Sequence, residues 1–146
     1  MPGATRSVKI ARSPADVYAY LGQPENDPTW RPAVTDIAHA SGTGVGAVYR
    51  QGVRGPGGRR VSADIEITAA QPDRLLSFRT VTGPVRPSGR YELAPTSAGT
   101  SLTFTLEVEL RGLKKLFIGG AVQKSMNAEV ANLDRLKSVL EEGRAS

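Results

Sequence analysis

The sequence predicts an α+β domain: a curved seven-stranded antiparallel sheet round one long C-terminal helix, with two short helices after the first strand. Three observations predict it. A helix-start signal stands alone at residues 13–16, the middle of the chain breaks into short segments with apolar residues at every second position, and the last third carries them at every third or fourth. The length of 146 residues suits one domain with one core. Residues 1–146 are therefore read as a single domain with its core at about 6–141.

Ser7 to Ala11 reads as the first strand. Ser13-Pro14-Ala15-Asp16 supplies a capping hydroxyl, a proline where no N–H is needed and an acid in the first turn, so a helix begins there. Gly22, Pro24 and Pro28 end it, leaving Asn26 to Trp30 as a second short helix. Six further strands are expected at about 34–40, 45–52, 60–70, 74–82, 86–94 and 101–110. In 61–68 and 102–110 apolar and polar residues alternate, which gives the sheet one dry and one wet face. Gln71-Pro72-Asp73 and Pro95 to Gly99 fall where hairpin turns are needed. From about Leu113 the apolar stripe Leu116, Phe117, Val122, Met126, Val130, Leu133, Leu136, Leu140 describes one helix, interrupted at Gly119-Gly120 by a kink or a close backbone approach. With no second helix of that length to pack on, the stripe must cover the dry face.

Composition removes many chemistries. There is no cysteine, which excludes disulfides and thiolate chemistry, and the single histidine, His39, has no partner for a metal site or a triad. His39 reads as a surface residue at a strand end. No metal and no cofactor is expected. The N-terminal segment lacks the apolar stretch of a signal peptide, and a cytoplasmic location is expected. The net charge of +5 raises the question of nucleic acid, but Arg50, Arg54, Arg59 and Arg60 are interleaved with glycines and lack aromatic neighbours for base stacking. The 50–60 segment reads as a solvated hairpin, and no nucleic-acid partner is expected. Arg111 to Ile118 mixes three cations with large apolar residues and supports at most a transient membrane contact.

Strand parity sorts the interior, because successive side chains point to opposite faces. Val45, Ala47 and Tyr49 inside bring Gln51 with them; Leu76 and Phe78 bring Thr80; Tyr91 and Leu93 bring Gly89; and Phe104, Leu106 and Val108 face in from the last strand. The candidate ligand-binding residues are therefore Tyr49, Gln51, Phe78, Thr80, Tyr91, Phe104 and Leu106, with Phe117, Val122 and Met126 from the helix. Trp30 stands at one end and reads first as a lid on the core. This predicted lining holds neither a carboxylate nor a cation. Asp64, Glu66, Arg79, Arg90, Glu92, Glu107 and Glu109 fall on the wet face and are expected to pair across strands. No catalytic residue is assigned.

The element order, with Arg12-Ser13-Pro14-Ala15-Asp16-Val17-Tyr18-Ala19-Tyr20-Leu21 followed by Pro24-Glu25-Asn26 and Trp30, resembles the opening of the SRPBCC (START-like, polyketide cyclase/dehydrase) superfamily. Gly44-Val45-Gly46, Gln71-Pro72-Asp73-Arg74-Leu75 and Gly99-Thr100 before Leu102-Thr103-Phe104 extend the resemblance over about residues 6–141. It implies a helix-grip fold with an apolar cavity between sheet and terminal helix, and members that bind lipids, quinones or polyketides or act as cyclases and aromatases. Three functions stay open: a binder of a hydrophobic or amphipathic small molecule, a cyclase, aromatase or dehydrase using the same cavity, and an interaction module with a vestigial cavity.

Overall fold

The computed structural model describes residues 3–110 and 112–142, except for the side chains of Pro56 and residues 112–118. Strand β1 (Gly3–Ile10) leads into helix α1 (Pro14–Leu21), where the Ser13 hydroxyl accepts the Asp16 N–H at 3.1 Å and Pro14 opens the first turn. After a 3-10 turn at Pro24–Asn26 comes the single-turn helix α2 (Asp27–Trp30). The rest of the sheet is β2 (Val34–Ser41), β3 (Val48–Arg54), β4 (Arg60–Ser62), β5 (Ile65–Gln71), β6 (Leu75–Thr80), β7 (Ser88–Thr96) and β8 (Gly99–Glu107). Helices α3 (Gly112–Ala131) and α4 (Leu133–Glu141) end the chain.

All pairings are antiparallel, in the order β1-β8-β7-β6-β5-β3-β2, with β4 paired to β3 beside that path. The eighth strand arises because the segment expected as 60–70 divides at Ala63-Asp64. There the Asp64 carboxylate accepts the Gln51 N–H at 3.0 Å, and the Thr82 hydroxyl accepts the Asp64 N–H at 2.8 Å. The chain thus turns from one partner strand to the next without orphaning its polar groups.

The expected interruption of the terminal helix is displaced. Helix α3 runs through Gly119 and Gly120, where an added Cβ would meet no atom within 4 Å, and the break falls at Asn132. Leu133, Leu136 and Leu140 of α4 and Met126 and Val130 of α3 are buried against the sheet with Ile10, Leu102, Phe104 and Leu106. Burying each such side chain contributes roughly 1.5–3 kcal/mol. The helices also cover edge strand β1: Lys137 Nζ donates to the Lys9 carbonyl at 2.6 Å, Gln123 bonds both backbone groups of Gly3, and Arg6 pairs with Asp134 at 2.7 Å.

The outer face carries two of the expected cross-strand pairs. Arg79 meets Glu66 at 2.6 Å and Arg90 meets Glu107 at 2.9 Å, while Arg90 also joins Glu92 of its own strand at 3.1 Å. Gly99 closes the β7–β8 hairpin at φ 155°, and a Cβ there would collide with the Ile10 carbonyl oxygen and the Arg12 backbone.

Candidate functional site

Most of the residues expected inside are buried. Trp30, Phe104, Leu106, Phe78, Tyr91 and Met126 are buried, Thr80 and Gln51 are buried polar residues, and Val122 packs half-buried against the core. Tyr49 sits at the rim, half-buried, its ring edge-on to that of exposed His39 at 5.3 Å. Val45, expected inside, is 62% exposed. The cause is the Gly42–Gly46 turn: Gly42, Gly44 and Gly46 all adopt positive φ, so strand alternation begins only at Val48. Phe117, and the segment Arg111 to Ile118 weighed for membrane contact, lie outside the described side chains. At the arginine-rich hairpin Arg60 is fixed to Asp36 by two hydrogen bonds of 2.8 and 2.9 Å, while Arg50, Arg54 and Arg59 are exposed.

The expectation of an uncharged interior is overturned. Asp27, Arg31 and Glu129 form a buried ion triad, their side chains 7%, 7% and 13% exposed. The single turn of α2 puts Arg31 four residues after Asp27, so that its Nη1 reaches the Asp27 carboxylate at 3.0 Å. Glu129 comes from α3, and its Oε2 accepts from Arg31 Nε at 2.7 Å and from Nη2 at 2.5 Å. One guanidinium therefore joins the short helix to the long one.

An aromatic group closes over the triad. Trp30 meets Tyr91 and Phe104 edge-on at 6.2 and 6.1 Å, Tyr91 stacks on Phe104 at 4.5 Å, and the Arg31 guanidinium carbon lies 6.0 Å from the Trp30 ring centre. Here three buried polar atoms make no hydrogen bond within 3.5 Å: Trp30 Nε1, Glu129 Oε1 and Tyr91 Oη, the last lying near the Arg31 guanidinium. Gln51 Oε1 is a fourth, on the β3–β4 side, where the Gln51 amide donates to the Ala63 carbonyl. Each such atom costs about 1–3 kcal/mol unless water or a ligand meets it.

Two carboxylates share one cation, and the site's electrostatics follow from that. Burial pushes the Asp27 carboxyl up to about 6; Arg31 opposes this, and Glu129 and Glu25 add to it. Burial works most strongly against the Arg31 charge, but Glu129, Tyr91 and Asp27 together outweigh it and hold the guanidinium far above its ordinary value. Arg31 gives Glu129 two nitrogens and Asp27 one, which leaves Asp27 the less compensated partner. Burial, reinforced by Asp27, raises the Tyr91 phenol well above 10, so it stays a neutral hydroxyl. Chemically the arrangement offers a phenol and an indole N–H as donors, an open carboxylate oxygen as acceptor, and a buried carboxyl that exchanges its proton near neutrality.

The triad had one legible signal. Glu129 stands three residues after Met126 and four before Leu133, which places a carboxylate on the apolar stripe. Strand parity says nothing of a helical residue and so misses it. Asp27 and Arg31 gave no comparable sign, since their burial depends on where α2 docks. A groove of about 410 Å³ between Gln71, Arg74, Glu92, Ser101 and Thr103 lies on the wet face of the sheet and is separate from this site.

Comparison with known proteins agrees with this architecture. TTHA0849 from Thermus thermophilus superposes with TM-score 0.79 at 21% identity, covering 99% of each chain. DR_A0006 from Deinococcus radiodurans gives 0.73 at 18%, covering 97% of this chain and 98% of its own. The di-domain ARO/CYC StfQ from the steffimycin biosynthetic pathway gives 0.79 at 16%, covering 98% of this chain and 51% of that one. At these identities the likeness is one of fold. No curated protein matches the chain by sequence. A family model described as polyketide cyclase / dehydrase and lipid transport matches residues 1–141, and the chain belongs to that family.

Proposed function

We propose that the protein binds a hydrophobic or amphipathic small molecule between the sheet and the C-terminal helices, with its polar end at Trp30, Tyr91 and Glu129. The observation that carries this reading is the set of three partnerless polar atoms on those residues, beside the buried ion triad. Native cores meet nearly all such atoms with protein or water, and this supports a further molecule beside these residues. Family membership supports the same reading. Phe78, Phe104, Leu106, Val122 and Met126 would supply the apolar wall, and Gln51, Thr80 and Tyr49 would be further polar points.

Native mass spectrometry of protein purified without denaturant, with solvent extraction of the same sample, tests the proposal. A non-covalent adduct, or one formed on incubation with fatty alcohols, quinones or fused aromatic phenols, is the expected result. A bare chain that takes up none of these compounds would refute binding.

A second reading, cyclisation or dehydration of the bound molecule, has one observation in its favour. The buried Asp27 carboxyl, pushed up to about 6, is suited to proton transfer near neutral pH beside Tyr91. If it acts in this way, Asp27→Asn abolishes turnover of a polyketide-like substrate and leaves its affinity within a few-fold. Equal turnover by the variant would remove the reading.

A further inference from the structure

We infer that the polar end of the ligand is a hydroxyl, an alcohol or phenol, held between the Tyr91 phenol, the Trp30 indole N–H and the open oxygen of Glu129. This rests on the binding proposal above and names the chemistry of that site. Arg31 is the point on which the groups converge. Its Nε and Nη2 both hold Glu129 Oε2, so Oε1 is left without a donor. Trp30 lies under the same guanidinium and edge-on to Tyr91.

The partnerless atoms make unequal demands. Trp30 Nε1–H can only donate and Glu129 Oε1 can only accept, while Tyr91 Oη can do either. A ligand group that satisfies all three must accept at least one hydrogen bond and also donate one. A hydroxyl does both. A ketone or quinone carbonyl accepts from the indole and the phenol but leaves the carboxylate oxygen bare, the most costly atom to bury alone. A carboxylate or phosphate has no proton to give, and it enters a site where two carboxylates already share one guanidinium.

The protein reports on this site without a label, because Trp30 is its single tryptophan. Titration of the full chain at pH 8 with 1-decanol, 2-decanone and decanoate, followed by Trp30 emission, compares three head groups on one apolar tail. The alcohol is expected to bind about tenfold or more tighter than the ketone, the effect of one hydrogen bond to a charged acceptor. Decanoate, ionised at this pH, is expected to be weaker than either. Equal affinities, or a preference for ketone or carboxylate, overturn the hydroxyl assignment and leave binding intact. Failure of all three to bind, together with a bare chain in native mass spectrometry, overturns the binding reading itself. Two variants locate the contact. Glu129→Gln supplies an amide donor and should bring alcohol and ketone within about threefold of each other. Tyr91→Phe, which removes a hydroxyl and no charge, should weaken both together; no change in either affinity would remove Tyr91 from the site.

Discussion

Replacing Arg31 by glutamine leaves Asp27 and Glu129 buried with no cation between them. Because the three side chains are 7%, 7% and 13% exposed, solvent does little to relieve the loss. Breaking a buried pair by removing one partner typically costs about 3–5 kcal/mol. Protonation limits that cost: neutralising Asp27 from its ordinary 3.8 takes about 6 kcal/mol at pH 8 but only about 2 kcal/mol at pH 5.5. Urea unfolding of Arg31→Gln, followed by Trp30 emission, should therefore show a loss of about 4 kcal/mol at pH 8 that shrinks by about half at pH 5.5. The charge-free triple variant Asp27→Asn, Arg31→Met, Glu129→Gln should recover most of that stability, since uncharged groups of similar size fill such sites at little cost. A loss below about 1 kcal/mol at pH 8, or one that grows on acidification, would refute the claim that the triad is a desolvated ion cluster.

The remaining predictions test the electrostatics and the packing separately. Asp27 has a folded pKa raised above its unfolded value, so its stabilising contribution is full below 3.8 and is lost as pH rises through about 6. The wild type should gain up to about 3 kcal/mol between pH 7 and pH 4 from this group, and Asp27→Asn should be flat over that range by chemical denaturation. Asp36 acts in the opposite sense, being held down at about 2 by hydrogen bonds from Arg60 and Thr35, so its contribution is lost only as pH falls below 3.8. Gly99→Ala should cost roughly 2 kcal/mol or more, because φ is positive and the new methyl meets backbone; an unchanged urea midpoint would contradict the hairpin geometry. Thr100→Val should cost about 1 kcal/mol in the same assay, since the fully buried hydroxyl donates to the Arg12 carbonyl at 2.7 Å.

The sheet was legible because its signals are local. In β8 the residues Leu102, Phe104 and Leu106 alternate with Thr103 and Thr105, so one face had to be dry, and Arg90 and Glu107 then had to meet in water. The Ser13 cap and Pro14 likewise fixed the start of α1. The failures share a cause. Positive-φ glycines reset the alternation before β3 and exposed Val45, the bend at Ala63-Asp64 divided one strand into two, and neither event changes the hydropathy pattern. The triad was hidden for a different reason. Asp27 and Arg31 read as ordinary charged residues of a short turn, and only the docking of α2 against the terminal helices brings Glu129 to 2.7 Å from Arg31 and removes all three from water. Strand parity can sort residues within a sheet, but it carries no information on a polar cluster assembled by two helices above it.

The most direct test is an electron-density map, at a resolution that shows ordered water, around Glu129 and Tyr91 in crystals grown from protein purified under native conditions. Non-protein density, from ligand or water, is expected within hydrogen-bond distance of Glu129 Oε1 and Tyr91 Oη. A map in which the Tyr91 hydroxyl donates straight to Glu129 Oε1, with the rings of Trp30 and Phe104 closed over them and nothing in between, would contradict a ligand site there.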